Sequence, residues 1–190
     1  MNIGIDFDDT LINCNIIKET SHEFNFNLNE VKEFDWELSN FPIKLKEEIT
    51  KRFSSPYYMC TSPYISFKPN ITKKLDEWKS QGHKLILITA RDRFIRNESR
   101  KLINKVYNKF DKIRFVNIGV PKTSLFKKEK LDIWIDDNPS DCKRSLGLKI
   151  ETYMISNKTT PYNYNMKKHK NLNIVSEITD IKLGSINGKI

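Results

Sequence analysis

The residues able to do chemistry stand in a few short runs. Asp6-Phe7-Asp8-Asp9-Thr10 follows directly on the apolar Ile3-Gly4-Ile5, which places three carboxylates at the C-terminal end of a buried strand. In an open α/β sheet, ligands bind at that edge. A second apolar run, Ile133-Trp134-Ile135, ends in Asp136-Asp137. If the two strands are neighbours, at least four of their carboxylates converge. Like charges that close raise one another's proton affinity and destabilise the fold unless a cation sits among them. An all-oxygen ligand set selects a hard divalent ion, Mg²⁺ being the usual one with phosphate substrates. Helix caps and solvated loops can also use aspartates, but two strand-terminal clusters are hard to assign to chance. A third run, Leu85-Ile86-Leu87-Ile88, ends in Thr89-Ala90-Arg91, and Lys122 precedes Asp136 at the start of a predicted helix. Taken singly, Thr89 is an ordinary strand-end residue and Lys122 an ordinary surface lysine. Arg91 admits two roles, a salt bridge at the sheet edge or a substrate contact.

Positioning these groups requires alternating strands and helices. Short, β-branched apolar stretches predict strands at 2–7, 84–89, 113–118, 132–136 and 149–155. Helical periodicity lies between them at 99–110, 121–130 and 139–146, with Pro121 and Pro139 at helix starts and Gly147 as a C-cap. Asn70 can cap a helix over 71–81 that buries Leu75 and Trp78 and stops at Gly82. The pattern predicts an α/β, Rossmann-like parallel sheet covered on both faces. The gap from the first strand to Asn70 is too long for an ordinary βα connection. Residues 14–69, with helical segments at 16–24, 29–34 and 43–53 and the aromatics Phe53, Tyr57 and Tyr58, read as an inserted helical subdomain; 1–13 plus 70–190 form the α/β core. Residues 156–173 read as a polar loop and 174–186 as a final helix.

Composition narrows the rest. The chain has 190 residues, enough for one domain with a modest insertion, and 11% aromatic content excludes a disordered chain. No stretch approaches the roughly 18 apolar residues of a membrane span, and the N-terminus lacks the features of a secretory signal. Cys14, Cys60 and Cys142 form no CxxC pair, which argues against a disulfide framework or a zinc site and for a reducing cytoplasm. His22, His83 and His169 have no ligand spacing. Net charge is +9, distributed as −3 over residues 1–13, −1 over 14–69 and +13 over 70–190. A basic half can bind nucleic acid, but single lysines and arginines on helices fit a solvated surface better.

Together these runs resemble the haloacid dehalogenase superfamily of phosphotransferases. Asp6-Phe7-Asp8-Asp9-Thr10 looks like the first motif, DxDxT; Thr89 matches the second, Lys122 the third and Asp136-Asp137 the fourth. The resemblance covers residues 1–13 and 70–155, and 14–69 stands where that family carries its mobile cap. Ile88-Thr89-Ala90-Arg91, Ile135-Asp136-Asp137-Asn138-Pro139 and Pro161-Tyr162-Asn163 are most similar to the 5′(3′)-deoxyribonucleotidase-type branch. Asp9 departs from the glycine frequent at its position and must adopt the same loop geometry.

The resemblance implies a Mg²⁺-dependent phosphomonoester hydrolase working through an aspartyl-phosphate. Asp6 would be the nucleophile and Asp8 the general acid and base. Thr89, Ala90 and Lys122 would bind phosphate, and Asp6, Asp8 (through its carbonyl) and one or both of Asp136 and Asp137 would hold the metal. The implied substrate is a small phosphorylated molecule, a nucleoside monophosphate above all, with no membrane partner. A polynucleotide 3′-phosphatase, motivated by the basic half, and a non-catalytic binding protein are the alternatives. The aromatics of the insert (Phe24, Phe26, Trp36, Phe41, Tyr57, Tyr58) either stack on a base or build the insert's own core.

Overall fold

Alternation of side chains along a strand explains why the apolar runs become the centre of this molecule. The computed structural model describes residues 1–31, 38–63, 65–91, 95–117, 120–156 and 169–184. Strands β1 (Asn2–Ile5), β4 (Lys84–Thr89), β5 (Lys112–Phe115), β6 (Ile133–Asp136), β7 (Glu151–Ile155) and β8 (Leu172–Val175) form one six-stranded sheet in the order β5-β4-β1-β6-β7-β8, parallel throughout. Ile3, Ile5, Leu85, Leu87, Ile133 and Ile135 face one side, against Ile71, Leu75 and Trp78 of α3 (Ile71–Ser80) and Leu102 and Ile103 of α4 (Arg96–Ile103). The intervening Ile86, Ile88 and Trp134 face the other, against Phe126 of α5 (Thr123–Lys128). Helix α6 (Pro139–Gly147) follows β6, with the Asn138 side chain capping its first turn through the Ser140 N–H.

Gly4 holds the central strand's place on that second face. A Cβ there would stand 2.4 Å from Leu131 Cδ1 and 2.7 Å from Trp134 Cε3, so only glycine lets the indole lie against β1.

Several elements differ from the sequence reading. Asn70 stands at the start of α3 without a side-chain capping bond; its backbone is left-handed (φ 59°), which asparagine tolerates. The predicted 99–110 helix is α4 followed by a turn and a short 3₁₀ segment, Tyr107–Lys109. Gly147 is the last residue of α6 rather than its cap. The final helix expected at 174–186 is absent over 174–184. There β8 ends at Val175, and a 3₁₀ turn, Ile178–Asp180, then buries Ile178 in the main core together with Ile181. The β-branched Ile174-Val175 pair completes a ladder on the otherwise open edge of β7.

The segment between β1 and α3 leaves and rejoins the sheet layer through a small antiparallel pair, β2 (Ile12–Asn13) with β3 (Ser66–Phe67). Between them lie α1 (Ile16–Glu23), α2 (Ile43–Phe53) and a single π turn, Tyr57–Thr61. Ile17, Leu38, Phe41, Leu45 and Ile49 bury one another there. Arg52 ties the two helices, donating to Glu23 Oε2 at 2.6 Å and Glu48 Oε1 at 2.9 Å. Of the helix predicted at 29–34, the described residues form a 3₁₀ turn, Leu28–Glu30; the remainder, like Trp36 and Pro161-Tyr162-Asn163, lies outside the described residues. Among the described residues no helix is long and apolar enough to cross a membrane.

Candidate active site

Register brings the carboxylates together. Ile5 pairs with Ile135, and the Asp6 N–H donates to the Ile135 carbonyl at 2.9 Å, so Asp6 and Asp136 leave adjacent central strands at the same edge. Carboxylate oxygens of Asp6, Asp136 and Asp137 all lie within 4.8 Å of one another, and all three residues are buried. Lys122, immediately before α5, reaches in from the neighbouring connection. Its Nζ donates to Asp6 Oδ1 at 2.6 Å and Asp136 Oδ2 at 3.1 Å, and lies 5.0 Å from the Trp134 ring centre.

The charges there are unbalanced. Burial pushes the Asp6 carboxyl well above the usual range; Lys122 opposes the rise, while Asp136 and Asp8 add to it. Burial likewise raises Asp136, to about 6, against the pull of Lys122 and with the push of Asp141. Lys122 is held firmly charged: burial disfavours its ammonium, but Asp136, Asp6 and Asp141 outweigh that. One ammonium among three buried carboxylates leaves room for a cation, and oxygen-only donors fit Mg²⁺.

Thr89, the last residue of β4, is fully buried, and its Oγ1 has no hydrogen-bond partner among the described residues. A buried hydroxyl without a partner costs about 1–3 kcal/mol, so its persistence at this edge suits a ligand that supplies one. Ala90, half-buried, follows as the first residue past the strand and offers only backbone groups. Thr10 is buried with its hydroxyl 3.5 Å from Asp137 Oδ1. Asp9 does take the left-handed backbone that the loop demands (φ 51°), and its Oδ1 accepts the Cys14 N–H at 2.8 Å.

Asp8 is not among the three converging carboxylates. Its side chain turns to Arg91, which grips both oxygens, and this resolves Arg91 as an ion-pair residue. Asp141 escaped the sequence reading although Asp136-Asp137-Asn138-Pro139-Ser140-Asp141 places it in the first turn of α6, facing back to the strand end. It is buried, 3.5 Å from Lys122 Nζ, and bound by Arg144 at 2.9 Å. The insert's aromatics divide. Phe26 and Phe41 pack on each other at 5.2 Å and Tyr58 lies under Arg52, whereas Phe24 and Tyr57 are exposed.

No family model matches the chain. It is 27% identical over 194 aligned residues to a "putative nucleotidase" of Bacillus cereus, covering 95% of this chain and 96% of that one. Its structure is similar to a haloacid dehalogenase-like hydrolase from Streptococcus pneumoniae (TM-score 0.57, 16% identity, 91% of this chain and 92% of the other). It is also similar to a "predicted phosphatase" from Clostridium acetobutylicum (TM-score 0.61, 15% identity, 94% of each chain). The chain has the fold of the haloacid dehalogenase superfamily of hydrolases.

Proposed function

We propose that the protein is a Mg²⁺-dependent phosphomonoester hydrolase that dephosphorylates nucleoside monophosphates through an aspartyl-phosphate. The observation that carries this reading is the buried group of Asp6, Asp136 and Asp137 around Lys122. Thr89, whose hydroxyl is unpartnered at the same sheet edge, supports it. Likeness over nearly the whole chain to a protein named as a nucleotidase supports the substrate class.

In the first step an Asp6 carboxylate oxygen attacks phosphorus, and the bond from phosphorus to the leaving oxygen breaks as Asp8 gives that oxygen its proton. In the second, water attacks the phosphorus of aspartyl-phosphate, Asp8 takes the water's proton, and phosphate leaves with Asp6 restored. Lys122, the Thr89 hydroxyl and the Ala90 amide hold the phosphoryl oxygens, whose charge they stabilise as geometry changes. Asp6, Asp136, Asp137 and the Asp8 carbonyl would hold Mg²⁺, which supplies charge neutralisation between nucleophile and phosphate. Residues 14–69 are the cap over this site, the paired β2 and β3 being its two connections to the core formed by 1–13 and 70–190.

At least four cations of the basic half serve ion pairs within the fold, and the oligonucleotide in the test below decides whether the remaining excess binds nucleic acid. Lys79 pairs with Asp111, Lys109 with Asp76, and Lys112 and Arg114 with Glu129. Three free, buried cysteines suit a reducing cytoplasm.

The test is phosphate release with and without Mg²⁺ from deoxy- and ribonucleoside 5′- and 3′-monophosphates, p-nitrophenyl phosphate and a 3′-phosphorylated oligonucleotide. Metal-dependent release from mononucleotides, lost in Asp6→Asn with the fold retained, is the expected result. Release from the oligonucleotide alone would assign the basic half to nucleic acid, and undiminished turnover by Asp6→Asn would reject the covalent mechanism.

A further inference from the structure

Arg91 is among the largest fully buried side chains of the protein, and its contacts reach three separate parts of the chain. Nε and Nη2 donate to Asp8 Oδ2 at 3.1 Å and Oδ1 at 2.6 Å. Nη1 donates to the Met59 carbonyl at 2.6 Å, to Ser99 Oγ of α4 at 3.1 Å and to Cys60 Sγ at 3.3 Å. The guanidinium lies 4.9 Å from the centre of the Phe7 ring, between the two aspartates of the first motif.

Met59 and Cys60 belong to the π turn of the insert, and a π turn is a departure from the regular helix that often marks a functional position. Here it aims a backbone carbonyl at a cation on the core. The planar fork of arginine matches this task, because its two edges can serve different partners at once. A buried guanidinium cannot lose one partner without leaving charge uncompensated, so whatever moves the turn disturbs the grip on Asp8.

We infer that Arg91 is a positioning residue that couples the insert to the general acid: the turn at Met59–Cys60 holds Arg91, and Arg91 fixes the direction in which Asp8 presents its oxygens. The inference rests on the role given to Asp8 above. Seating of the insert and the orientation of the Asp8 carboxylate then become one event.

Two readouts test it, and the second needs no turnover. Loss of a well-placed general acid removes about 10²–10⁴ of rate, chiefly for leaving groups that need a proton. Arg91→Lys should therefore lower kcat/KM for a nucleoside monophosphate about 10-fold more than for p-nitrophenyl phosphate, whose leaving group needs little help. A residue that merely supports the fold would lower both equally, and that result overturns the inference. Second, labelling of the buried Cys60 by a thiol reagent is followed by mass spectrometry, with Cys142 as internal reference. Asp8→Ala and Arg91→Met should each speed Cys60 labelling, and the double variant should add little, since both cut one linkage. Cys60 labelling at the wild-type rate in Asp8→Ala would refute the coupling. Should Arg91→Met fail to fold, Asp8→Ala against wild type decides alone. A wild type inert on both phosphates would reject the phosphatase reading, and the labelling result would still decide whether Arg91 couples insert to Asp8.

Discussion

Asp136→Asn isolates the electrostatic strain on which the site depends. Asp136 is fully enclosed, and burial, opposed by Lys122 and reinforced by Asp141, lifts its carboxyl from an ordinary 3.8 to about 6. Between those two values the native protein binds the more protons at this position, so Asp136 withdraws stability as pH rises. Two units correspond to about 3 kcal/mol by neutral pH. Asparagine cannot ionise, and its Oδ1 can still accept the Asn138 N–H that Asp136 accepts at 2.9 Å. Groups remote from Asp136 cancel in the difference; Asp6, whose rise Asp136 helps to cause, does not, and its relief in the variant moves the difference in the same direction, while the partner lost by Lys122, which keeps Asp6 and Asp141, adds a nearly constant offset. Urea unfolding of both proteins in EDTA, from pH 4 to pH 7.5, should show the difference moving by about 2.4 kcal/mol or more in favour of the variant. Mg²⁺ should then stabilise the wild type selectively at pH 7.5, by about 2.7 kcal/mol at a hundred times its dissociation constant, and much less at pH 4 where protons compete. A difference that stays flat with pH, or equal stabilisation of both proteins by Mg²⁺, would refute the assignment of Asp136 as a strained carboxylate awaiting a cation.

Thr89→Val should leave urea stability unchanged or raise it by about 1 kcal/mol, because the buried Oγ1 has no partner to lose, while kcat/KM for phosphate release falls at least about 10-fold. Loss of stability together with unchanged turnover would remove Thr89 from the phosphate site. Gly4→Ala should cost about 1–3 kcal/mol, since the new methyl meets Trp134 and Leu131 within the central layer; thermal unfolding should record about 2–4 °C for each kcal/mol. An unaltered midpoint would show that the indole can move aside.

How far the sequence could be read depended on how local each signal was. Strands β1, β4 and β6 are apolar runs buried on both faces, a pattern that needs no partner to be recognised. The ends of β4 and β6 were also marked, by Thr89-Ala90-Arg91 and by Asp136-Asp137. Strand β8 was missed because four residues with Asn171 before them and Asn173 among them resemble a loop until the open edge of β7 supplies their hydrogen bonds. The helical reading of 174–186 failed for the same reason: Ile178 and Ile181 suit a helix face, but here they fill the main core from a 3₁₀ turn. Asp141 carried a usable signal, one helical turn beyond Asp137, and was overlooked because it stands outside the strand-end run.

From the sequence alone came the parallel α/β architecture and the strand ends that carry carboxylates, while the place of Lys122 beside Asp6, Asp136 and Asp137 came only from the resemblance of its motif. Buried apolar strands and the order of the motifs determine these, for register follows once central strands pair side by side. Only the tertiary structure decided the direction of Asp8. Its neighbours in sequence suggest that it joins the other carboxylates, yet it turns to Arg91, and Arg91 in turn binds Met59 and Cys60 some thirty residues away. That arrangement depends on where a buried guanidinium finds enough acceptors, a choice made by packing among three distant segments and written in none of them separately.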